Sequence, residues 1–336
     1  MKILLVSSVY GSTPPSGYGG IQRVVYDLAE ELVRLGHDVT LVAPPGSHCS
    51  GRTIEVAAYD PGRPWSPIRS AADLLSEEPL YQILRELLSD RKVDVIHDWS
   101  FQSLFVRRHP KEFPFVVSTC IPAAPGFERP NLVASCRAHA GLFGPGTRWV
   151  RYGLPLQEWA FSARKTDPPI HIAKIARFKG QHLAVLAALR AGQPLVLAGN
   201  VEDVLYYRAV IRPLLWISPR VRYVGEIRGT QEHLLGAAAL LQTPQWFDAF
   251  PLVVLEALAC GTPVIALAEG GLPEQVLHGE TGFLCKSVGD IAEAFGRLPE
   301  IRPERCRAWA EEQFSARRMA LEYLDLYRVA RDGDTW

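Results

Sequence analysis

Two carboxylates flank the start of an apolar helical run in the second half of the chain. Asp248 precedes the run, Glu256 lies inside it, and seven residues separate the two acids. The first N–H groups of a helix have no partners within it and mark the positive end of its dipole, so they attract an anion such as a diphosphate. Carboxylates beside such a site can hold sugar hydroxyls. The pattern therefore predicts a site for a phosphorylated, hydroxyl-rich ligand.

Glu256 is the stronger of the two predictions. An alternative is that its side chain lies on a solvent-facing side of the helix. Its neighbours Leu252 to Ala259 are otherwise all apolar. An acid buried among them without a partner is costly, so the run favours a ligand or a hydrogen-bonding partner for this carboxylate.

The bulk composition limits the class of protein. The chain has 336 residues, 48% of them hydrophobic, which is enough for two domains with separate cores. Lysine plus arginine equals aspartate plus glutamate at 36 each, so net charge predicts no nucleic-acid binding, and membrane association is left open without being indicated. The six cysteines form no Cys-x-x-Cys pair, so neither a metal site nor a disulfide framework is expected. The short apolar run Lys2 to Val6 predicts a buried strand, and a cytoplasmic location is expected.

Apolar runs alternate with helical patterns along the chain, which predicts an α/β fold with parallel sheets. In the first half we predict strands near 2–8, 38–43, 94–97 and 114–119, with a helix near 20–35 after the first strand. A polar, proline-containing stretch near 162–169 predicts a linker. Beyond it the pattern restarts, with strands near 170–174, 195–198, 221–224, 239–242 and 263–267, helices near 180–191, 201–214, 230–236, 251–260 and 271–278, and a final helical stretch near 304–330.

Two successive doubly wound halves predict two Rossmann-like domains that face each other across a cleft. We place the first domain at 1–163 and the second at 164–316. Ligands bind such sheets at the carboxyl ends of their strands, so the site is expected there.

The segment from Asp248 to Pro273 resembles the retaining nucleotide-sugar glycosyltransferases of the GT-B fold, the family called GT4. The resemblance is carried by the two acids, the small-residue helix, the sequence Gly-Thr-Pro-Val at 261–264 and the Gly270-Gly271 loop. It implies that the first domain binds the acceptor, that the second binds the donor, and that the terminal helix 317–336 packs back on the first domain. Asp248 stands where the family usually has Glu, and Pro251 where it usually has Gly.

The resemblance also implies which residues bind the donor. Glu256 matches the family acid that accepts the ribose hydroxyls, and Gly19 and Gly20 match a glycine loop that meets the donor phosphate. Without gaps, the family's Gly-Arg falls on Ala173-Lys174 and its Lys-Gly on Lys179-Gly180, although Arg177 is a rival for the first basic position. The remaining predicted donor contacts surround the start of the helix: Asp248, Ala249, Phe250, Leu252 and Val253.

The acceptor side of the first domain departs further from the family. His97 and Asp98 lie in a matching strand-end segment, but Trp99 and Ile121 occupy positions where the family often has His. We predict Asp98, His97 and Ile121 as acceptor contacts, while His97 has a core position as its alternative. The regions 44–90 and 121–150 resemble the family least.

The reaction implied by the resemblance is a retaining transfer of a sugar from a nucleoside diphosphate, of the UDP or GDP type, to a hydroxyl acceptor. Lys174, Lys179, Asp248 and Asp98 are the predicted catalytic residues, with no metal and no cofactor beyond the nucleotide-sugar co-substrate. A saccharide, a lipid and a small molecule all remain open as acceptors. Three alternatives compete: a catalytically silent nucleotide-sugar-binding protein, a sugar phosphorylase or epimerase, and an NAD-dependent oxidoreductase, whose third glycine is missing from Gly17-Tyr18-Gly19-Gly20.

Overall fold

A computed structural model describes residues 1–17, 19–56, 76–89, 92–121 and 129–336. Parts of the two regions that resemble the family least therefore lie outside the described residues. The chain forms two compact units, one of residues Met1–Gly153 with Ala316–Trp336 and one of residues Leu154–Ser315. The boundary, expected at 163, thus falls at 153 in the structure.

The first unit is built on a parallel sheet. Its helices are α1 Gly20–Arg34, α2 Glu78–Ser89, α3 Leu104–Arg108 and α4 Arg137–Ala140. In the described part of the chain its strands are β1 Lys2–Val6, β2 Asp38–Ala43, β3 Arg52–Glu55, β4 Val95–Asp98, β5 Phe115–Ser118, β6 Leu132–Ala134 and β7 Arg148–Trp149, in the spatial order β3-β2-β1-β4-β5-β6-β7.

Helix α1 forms close to the predicted range, 20–35. Val24, Val25, Leu28 and Leu32 are buried. The helix ends before Gly36, whose positive φ of 83° lets the chain turn while its N–H and that of the next residue donate to the last carbonyls. The following strand pairs with β1 in parallel, so the predicted βαβ unit is confirmed.

The second unit repeats this architecture. Its described strands are β8 Ile170–Ile172, β9 Leu195–Ala198, β10 Val221–Tyr223, β11 Leu240–Gln242, β12 Val264–Leu267 and β13 Gly282–Cys285, in the order β10-β9-β8-β11-β12-β13. Its helices are α5 Gln181–Ala191, α6 Val204–Tyr206, α7 Arg212–Trp216, α8 Gln231–Gly236, α9 Leu252–Ala259, α10 Leu272–Gln275, α11 Val288–Arg297 and α12 Pro303–Gln313. A π-helical turn, Tyr207–Ile211, joins α6 to α7 without a break.

The final helical stretch differs from its prediction. It consists of α12 and a separate helix α13, Ala316–Arg331. Phe314 leaves helical geometry because its ring is buried, and its carbonyl accepts a hydrogen bond from Leu154. Helix α13 belongs to the first unit, where it packs on α1, β4 and β5.

Each sheet has one point where the strand order reverses. In the first sheet this switch lies between β1 and β4, and in the second between β8 and β11. Loops leaving two such strands run in opposite directions and open a crevice at the carboxyl edge of the sheet. Of the predicted site residues, Asp98 ends β4, while Lys174, Lys179 and Asp248 follow β8 or β11, and these strands border the two switch points.

Candidate functional site

An ion pair bridges the switch point of the second sheet. The Nζ atom of Lys179 donates to Oδ2 of Asp248 at 2.5 Å, and both side chains are buried. Lys179 follows β8 and Asp248 follows β11, so the pair closes the crevice between the two neighbouring strands. The structure therefore brings together two residues predicted separately from the sequence.

Gly180 determines where Lys179 lies. It has a φ of 67°, and a Cβ atom there would collide with the carbonyl oxygen of Thr243. The Thr243 hydroxyl donates to the Gly180 carbonyl at 2.8 Å, and the N–H of Gln245 donates to the carbonyl of Phe178 at 2.8 Å. The loop after β8 is thus fastened directly to the loop after β11.

The Gly270-Gly271 loop positions the other partner of the pair. The N–H of Gly271 donates to the backbone carbonyl of Asp248 at 2.9 Å. Gly270 has a φ of 58°, and a Cβ atom there would collide with the backbone of Asp248. These glycines therefore let the chain approach Asp248 closely and fix its backbone.

A second ion pair lies beside the first. Lys174 Nζ is 2.7 Å from Oε2 of Glu202, and both side chains are largely buried. Burial lowers the pKa of Lys174, although Glu202 opposes this effect, and burial raises the pKa of Glu202 against the pull of Lys174. Sequence reasoning missed Glu202; its position just after β9, next to the switch point, was the available signal.

An aromatic side chain lies close to both lysines. The ring centre of Phe178 is 5.2 Å from Nζ of Lys174 and 5.7 Å from Nζ of Lys179, while Trp246 lies 5.2 Å from the latter. Aromatic faces attract cations at these distances. Two ammonium groups are therefore held in one small, largely buried region.

Arg177 does not share this environment. Its side chain is exposed, and its charge acts on His182 of α5, where it adds to the effect of burial in lowering the pKa of that histidine. Lys174, the other candidate for the first basic position, is the residue that pairs with Glu202.

Glu256 lies in the second turn of α9, the hydrophobic helix that follows Asp248. The hydroxyl of Thr230, immediately before α8, donates to Oε2 of Glu256 at 2.7 Å. The carboxylate is half-buried, whereas Leu255 and Ala257 on either side are fully buried. Glu256 thus has a hydrogen-bonding partner, Thr230, that sequence reasoning missed.

The other predicted donor contacts lie around the start of α9. Ala249 and Phe250 are buried, and the ring of Phe250 packs on Phe314 in the core. Leu252 and Val253 open the helix and are half-buried. The helix begins at Leu252, and Pro251 is its N-cap. The helix predicted near 251–260 therefore starts one residue later in the structure.

Gly19 and Gly20 form the start of α1 in the first unit. Gly19 is the N-cap, and a Cβ atom there would lie 2.7 Å from Cβ of Pro15. Gly20 is the exposed first residue of the helix. Close packing against Pro15 therefore explains why a glycine occupies position 19, independently of its predicted role as a phosphate contact.

His97 has the core position that was its alternative. Its Nδ1 atom lies 2.6 Å from the hydroxyl of Tyr327 and its Nε2 atom 2.8 Å from that of Ser118, which in turn lies 2.8 Å from Tyr323. The side chain is fully buried, and burial lowers its pKa to about 3. The Nδ1 atom thus contacts α13 directly, and the Nε2 atom is linked to α13 through Ser118. Because both ring nitrogens are engaged in the core, the location of His97 does not support an acceptor contact.

Asp98 lies at the switch point of the first sheet beside a second buried acid, Glu77. Glu77 precedes α2 and accepts hydrogen bonds from the N–H groups of Phe101 and Gln102, while the N–H of Ser100 donates to Asp98. Burial, and then the neighbouring Asp98, raises the pKa of Glu77 to about 7, and burial raises that of Asp98 to about 6. Glu77 was missed because its partners are brought to it by tertiary contacts.

A cavity lies at the carboxyl edge of the first sheet, lined in part by Trp99 and Ser100, which follow Asp98 in the chain. Among its lining residues are Ser100, Thr119, Ile121 and Arg129. The backbone carbonyl of Ile121 also lies 2.8 Å from Nε2 of His139. Ile121 therefore reaches the predicted acceptor edge, where it contributes an apolar surface.

Among the residues that the structure describes, no group of three or more His, Cys, Asp or Glu side chains has an arrangement that could hold a metal ion. In the same part of the chain, no helix has the length and hydropathy that a membrane span requires.

Comparisons with known proteins agree with this architecture. The family described as Glycosyltransferase Family 4 matches residues 18–167, and the family described as Glycosyl transferases group 1 matches residues 161–314. A glycogen synthase from Mycobacterium tuberculosis is 28% identical to this chain over an alignment that covers 99% of the chain and 96% of the relative.

Solved structures share the fold over nearly the whole chain. AviGT4, a glycosyltransferase involved in avilamycin A biosynthesis, has a TM-score of 0.80 at 24% identity and covers 100% of this chain and 99% of its own. Anabaena Alr3699/HepE, solved in complex with UDP-glucose, has a TM-score of 0.73 at 16% identity over 97% of this chain and 98% of its own. The fold is therefore that of the GT-B glycosyltransferases.

The two family matches, which together run from 18 to 314, complete the identification. This chain belongs to the GT4 family of glycosyltransferases.

Proposed function

We propose that this protein transfers a sugar from a nucleoside diphosphate of the UDP or GDP type to a hydroxyl acceptor, with retention of configuration at the anomeric carbon. The observation that carries the proposal is the pair of buried lysines at the switch point of the second sheet. Each has an acid partner, Asp248 at 2.5 Å from Lys179 and Glu202 at 2.7 Å from Lys174.

A diphosphate suits this arrangement electrostatically. Buried ammonium groups strongly favour an anion that can share their protons, because little water competes for them. The ammonium groups of Lys174 and Lys179 both lie within 6 Å of the Phe178 ring centre, at 5.2 and 5.7 Å, so two phosphate groups in sequence can each meet one ammonium group. The acids keep both lysines charged and in place before the donor arrives.

Glu256 is proposed to bind the ribose. Its carboxylate is half-buried and already accepts one hydrogen bond, from Thr230, which fixes its orientation. A carboxylate oriented in this way can accept hydrogen bonds from two adjacent hydroxyl groups. Asp248 is proposed to contact the transferred sugar, since it leads into the first turn of α9 and holds Lys179 at the same time.

The proposed reaction is a front-face displacement. The bond between the anomeric carbon and the diphosphate breaks while the acceptor oxygen attacks from the same side, and the departing diphosphate takes the acceptor proton. Negative charge builds on the leaving phosphate, and Lys174 and Lys179 stabilise it. These two cations supply the charge for which other transferases use a metal ion, so we expect activity to survive chelation by EDTA.

The acceptor is proposed to bind the first unit at Asp98. The N–H of Ser100 donates to this carboxyl, and Ser100 helps to line the cavity at this edge together with Thr119 and Ile121. Its pKa of about 6 means that it is mainly charged at neutral pH, when it can accept a hydrogen bond from a hydroxyl. Ile121 adds an apolar contact to the same cavity.

A two-stage experiment tests the function. A thermal-shift panel of UDP, GDP, ADP and their glucose conjugates first identifies the base, since a ligand that binds only the folded protein raises its unfolding temperature. Release of the nucleoside diphosphate is then measured with that donor and a panel of hydroxyl acceptors, with and without EDTA. Stabilisation without release would favour a silent binding protein, and the absence of any stabilisation would contradict the donor site itself.

A further inference from the structure

An exposed surface that plays no part in the proposed reaction runs along the helix 204–216 and the turn after it. Leu205, Trp216 and Ile217 are 77%, 73% and 68% exposed, while Tyr206 and Ile211 of the same helix point inward and are buried. Large apolar side chains exposed together on one face usually mark a contact surface.

The segment that forms this surface is rich in arginine, and its nearest acids in the sequence, Asp203 and Glu226, lie directly outside it. Arg208, Arg212, Arg220 and Arg222 are exposed, and the segment 204–225 contains no Asp, Glu or Lys. The Arg212 guanidinium lies 5.2 Å from the ring of Trp216. In a chain whose acids and bases balance at 36 each, this segment is a local concentration of four positive charges.

A cavity continues the surface at the amino edge of the second sheet. Its volume is about 300 Å³, and Pro168, Pro194, Pro219, Arg220 and Arg222 help to line it. Two arginines thus border an apolar depression of a size that can take a small anionic group with its hydrocarbon stem.

We propose that this arginine-tryptophan face, formed by Leu205, Arg208, Arg212, Trp216, Ile217, Arg220 and Arg222, docks the protein on the surface of an anionic lipid bilayer. Trp216 and Ile217 enter the headgroup region, where tryptophan is favoured because one part of its ring is apolar and its N–H is polar. The arginines contact lipid phosphates, to which an anionic surface attracts them electrostatically.

Charge and shape favour a bilayer over other partners. A second copy of this chain would bring the same four arginines against the first four, and like charges repel. Surfaces that bind single-stranded nucleic acids stack successive bases on several aromatic rings, whereas the seven residues of this face include one ring, that of Trp216. Exposed apolar side chains interleaved with arginines are the pattern of helices that lie in a membrane interface.

The face is separate from the donor site. The helix begins after Asp203 at the carboxyl edge of the sheet and ends near the start of β10, so Trp216 and Ile217 lie at the amino edge. Lys174 and Glu202 lie at the carboxyl edge. Substitutions of Trp216 and Ile217 should therefore leave donor binding unchanged.

The test is sedimentation of the full chain with vesicles. We expect binding to vesicles of phosphatidylcholine and phosphatidylglycerol at about 3:1, at least about ten-fold weaker binding to phosphatidylcholine alone, and release by about 0.5 M NaCl. The double variant Trp216→Ser/Ile217→Ser and the double variant Arg208→Glu/Arg212→Glu should each weaken binding at least about ten-fold.

Matched controls lie elsewhere on the surface. Leu321→Ser replaces an exposed leucine of α13 and Arg85→Glu an exposed arginine of α2, and both should bind vesicles as the unmodified chain does. Thermal unfolding with and without the donor nucleotide confirms that each variant is folded. This readout also separates failure of the membrane proposal from failure of the proposed function.

Three results would overturn the proposal. The first is equal vesicle binding by the two double variants and the unmodified chain. The second is a folded protein that does not bind the anionic vesicles. The third is loss of self-association or of oligonucleotide binding in the variants while vesicle binding is unaffected, which would assign the face to a second copy or to a nucleic acid.

Discussion

The carboxyl edges of the two sheets have the same topology and opposite chemistry. Each sheet reverses its strand order after its first strand, between β1 and β4 or between β8 and β11. At the second edge, two buried lysines are each paired with an acid. At the first edge, two buried acids, Glu77 and Asp98, lie together.

This difference shows how the same fold can present two sites of different charge. The backbone provides an equivalent crevice in both units, and the residues that follow the strands decide its charge. The second edge suits an anion with two phosphates. In the proposed function the first suits a neutral ligand rich in hydroxyl groups, because Asp98, with a pKa of about 6, is mainly charged at neutral pH and can accept hydrogen bonds.

The largest expected effect is that of Lys179→Ala, which removes a cation from the donor edge. We expect kcat/KM to fall about 1,000-fold, since removing one group that stabilises the leaving charge costs about 100- to 1,000-fold and Asp248 is also left buried without this partner.

The matched control for this variant is Lys165→Ala. Lys165 donates to the carbonyls of Leu235 and Cys260 and to the hydroxyl of Thr262, so it has a structural role in the same unit. This variant should unfold at a lower temperature yet keep kcat/KM within a few-fold. Retention of most activity by folded Lys179→Ala would remove Lys179 from the site.

Glu256→Ala tests whether the donor edge binds the ribose as well as the phosphates. We expect about a 100-fold loss in kcat/KM, because a hydrogen-bonded carboxylate that meets two hydroxyls is lost. The sharper measurement compares the binding of a nucleoside diphosphate with that of its 2′-deoxy analogue. The unmodified protein should discriminate between them and the variant should not; equal discrimination by both would contradict the assignment.

Glu77→Gln tests the chemistry of the acceptor edge through its pH dependence. The folded pKa of Glu77 is about 7, above its ordinary 4.5, so between these values the folded protein holds a proton that the unfolded chain has released. The free energy of unfolding should therefore fall as pH rises through this window, by about 3 kcal/mol, and level off above it.

The variant should flatten most of this decline, measured by urea unfolding at a series of pH values. Asp98 contributes in the same direction at lower pH, since its pKa is raised to about 6. Asp290→Asn is a suitable control, because this exposed carboxyl caps α11 and has a lowered pKa, so its loss should not flatten the same window. An unchanged slope in Glu77→Gln would show that Glu77 is charged in the folded protein.

The smallest expected effect is that of Thr230→Val. It removes the hydroxyl that donates to Glu256 at 2.7 Å and should raise the KM for the donor a few-fold, about 1 kcal/mol, while kcat changes less. Thr230→Ser keeps the hydroxyl and should restore the original KM. If the serine variant behaves like the valine variant, Thr230 acts through packing and does not orient Glu256.

The sequence predicted more of the scaffold than of the site. Strands such as β1 and β12 are buried on both faces, so they read as continuous apolar runs and were found. The short edge strand β3 is half-exposed and mixed in polarity, and it was missed, as was α2. The break between α12 and α13 was missed because Phe314 leaves the helix to fill a core that the local pattern does not reveal.

The site residues that were missed share one property. Glu202, Thr230 and Glu77 take their roles from partners distant in the chain, such as Lys174 for Glu202 and Glu256 for Thr230. Motif resemblance pointed to the lysines and Glu256 themselves. It did not find the residues that hold them, since those contacts are made only when the sheet brings separate loops to one edge.

The attachment of α13 to the first unit has a consequence for how the protein is made. During translation, residues 1–153 leave the ribosome before residues 316–331 are synthesised. His97 and Ser118 therefore lack their contacts with α13 while the second unit is being made. The two tyrosines that cover them, Tyr323 and Tyr327, are synthesised only after residues 154–315 of the second unit. Maturation of the earlier half thus depends on successful production of the later one, and a nascent chain interrupted in between would expose an unfinished face to chaperones and proteases.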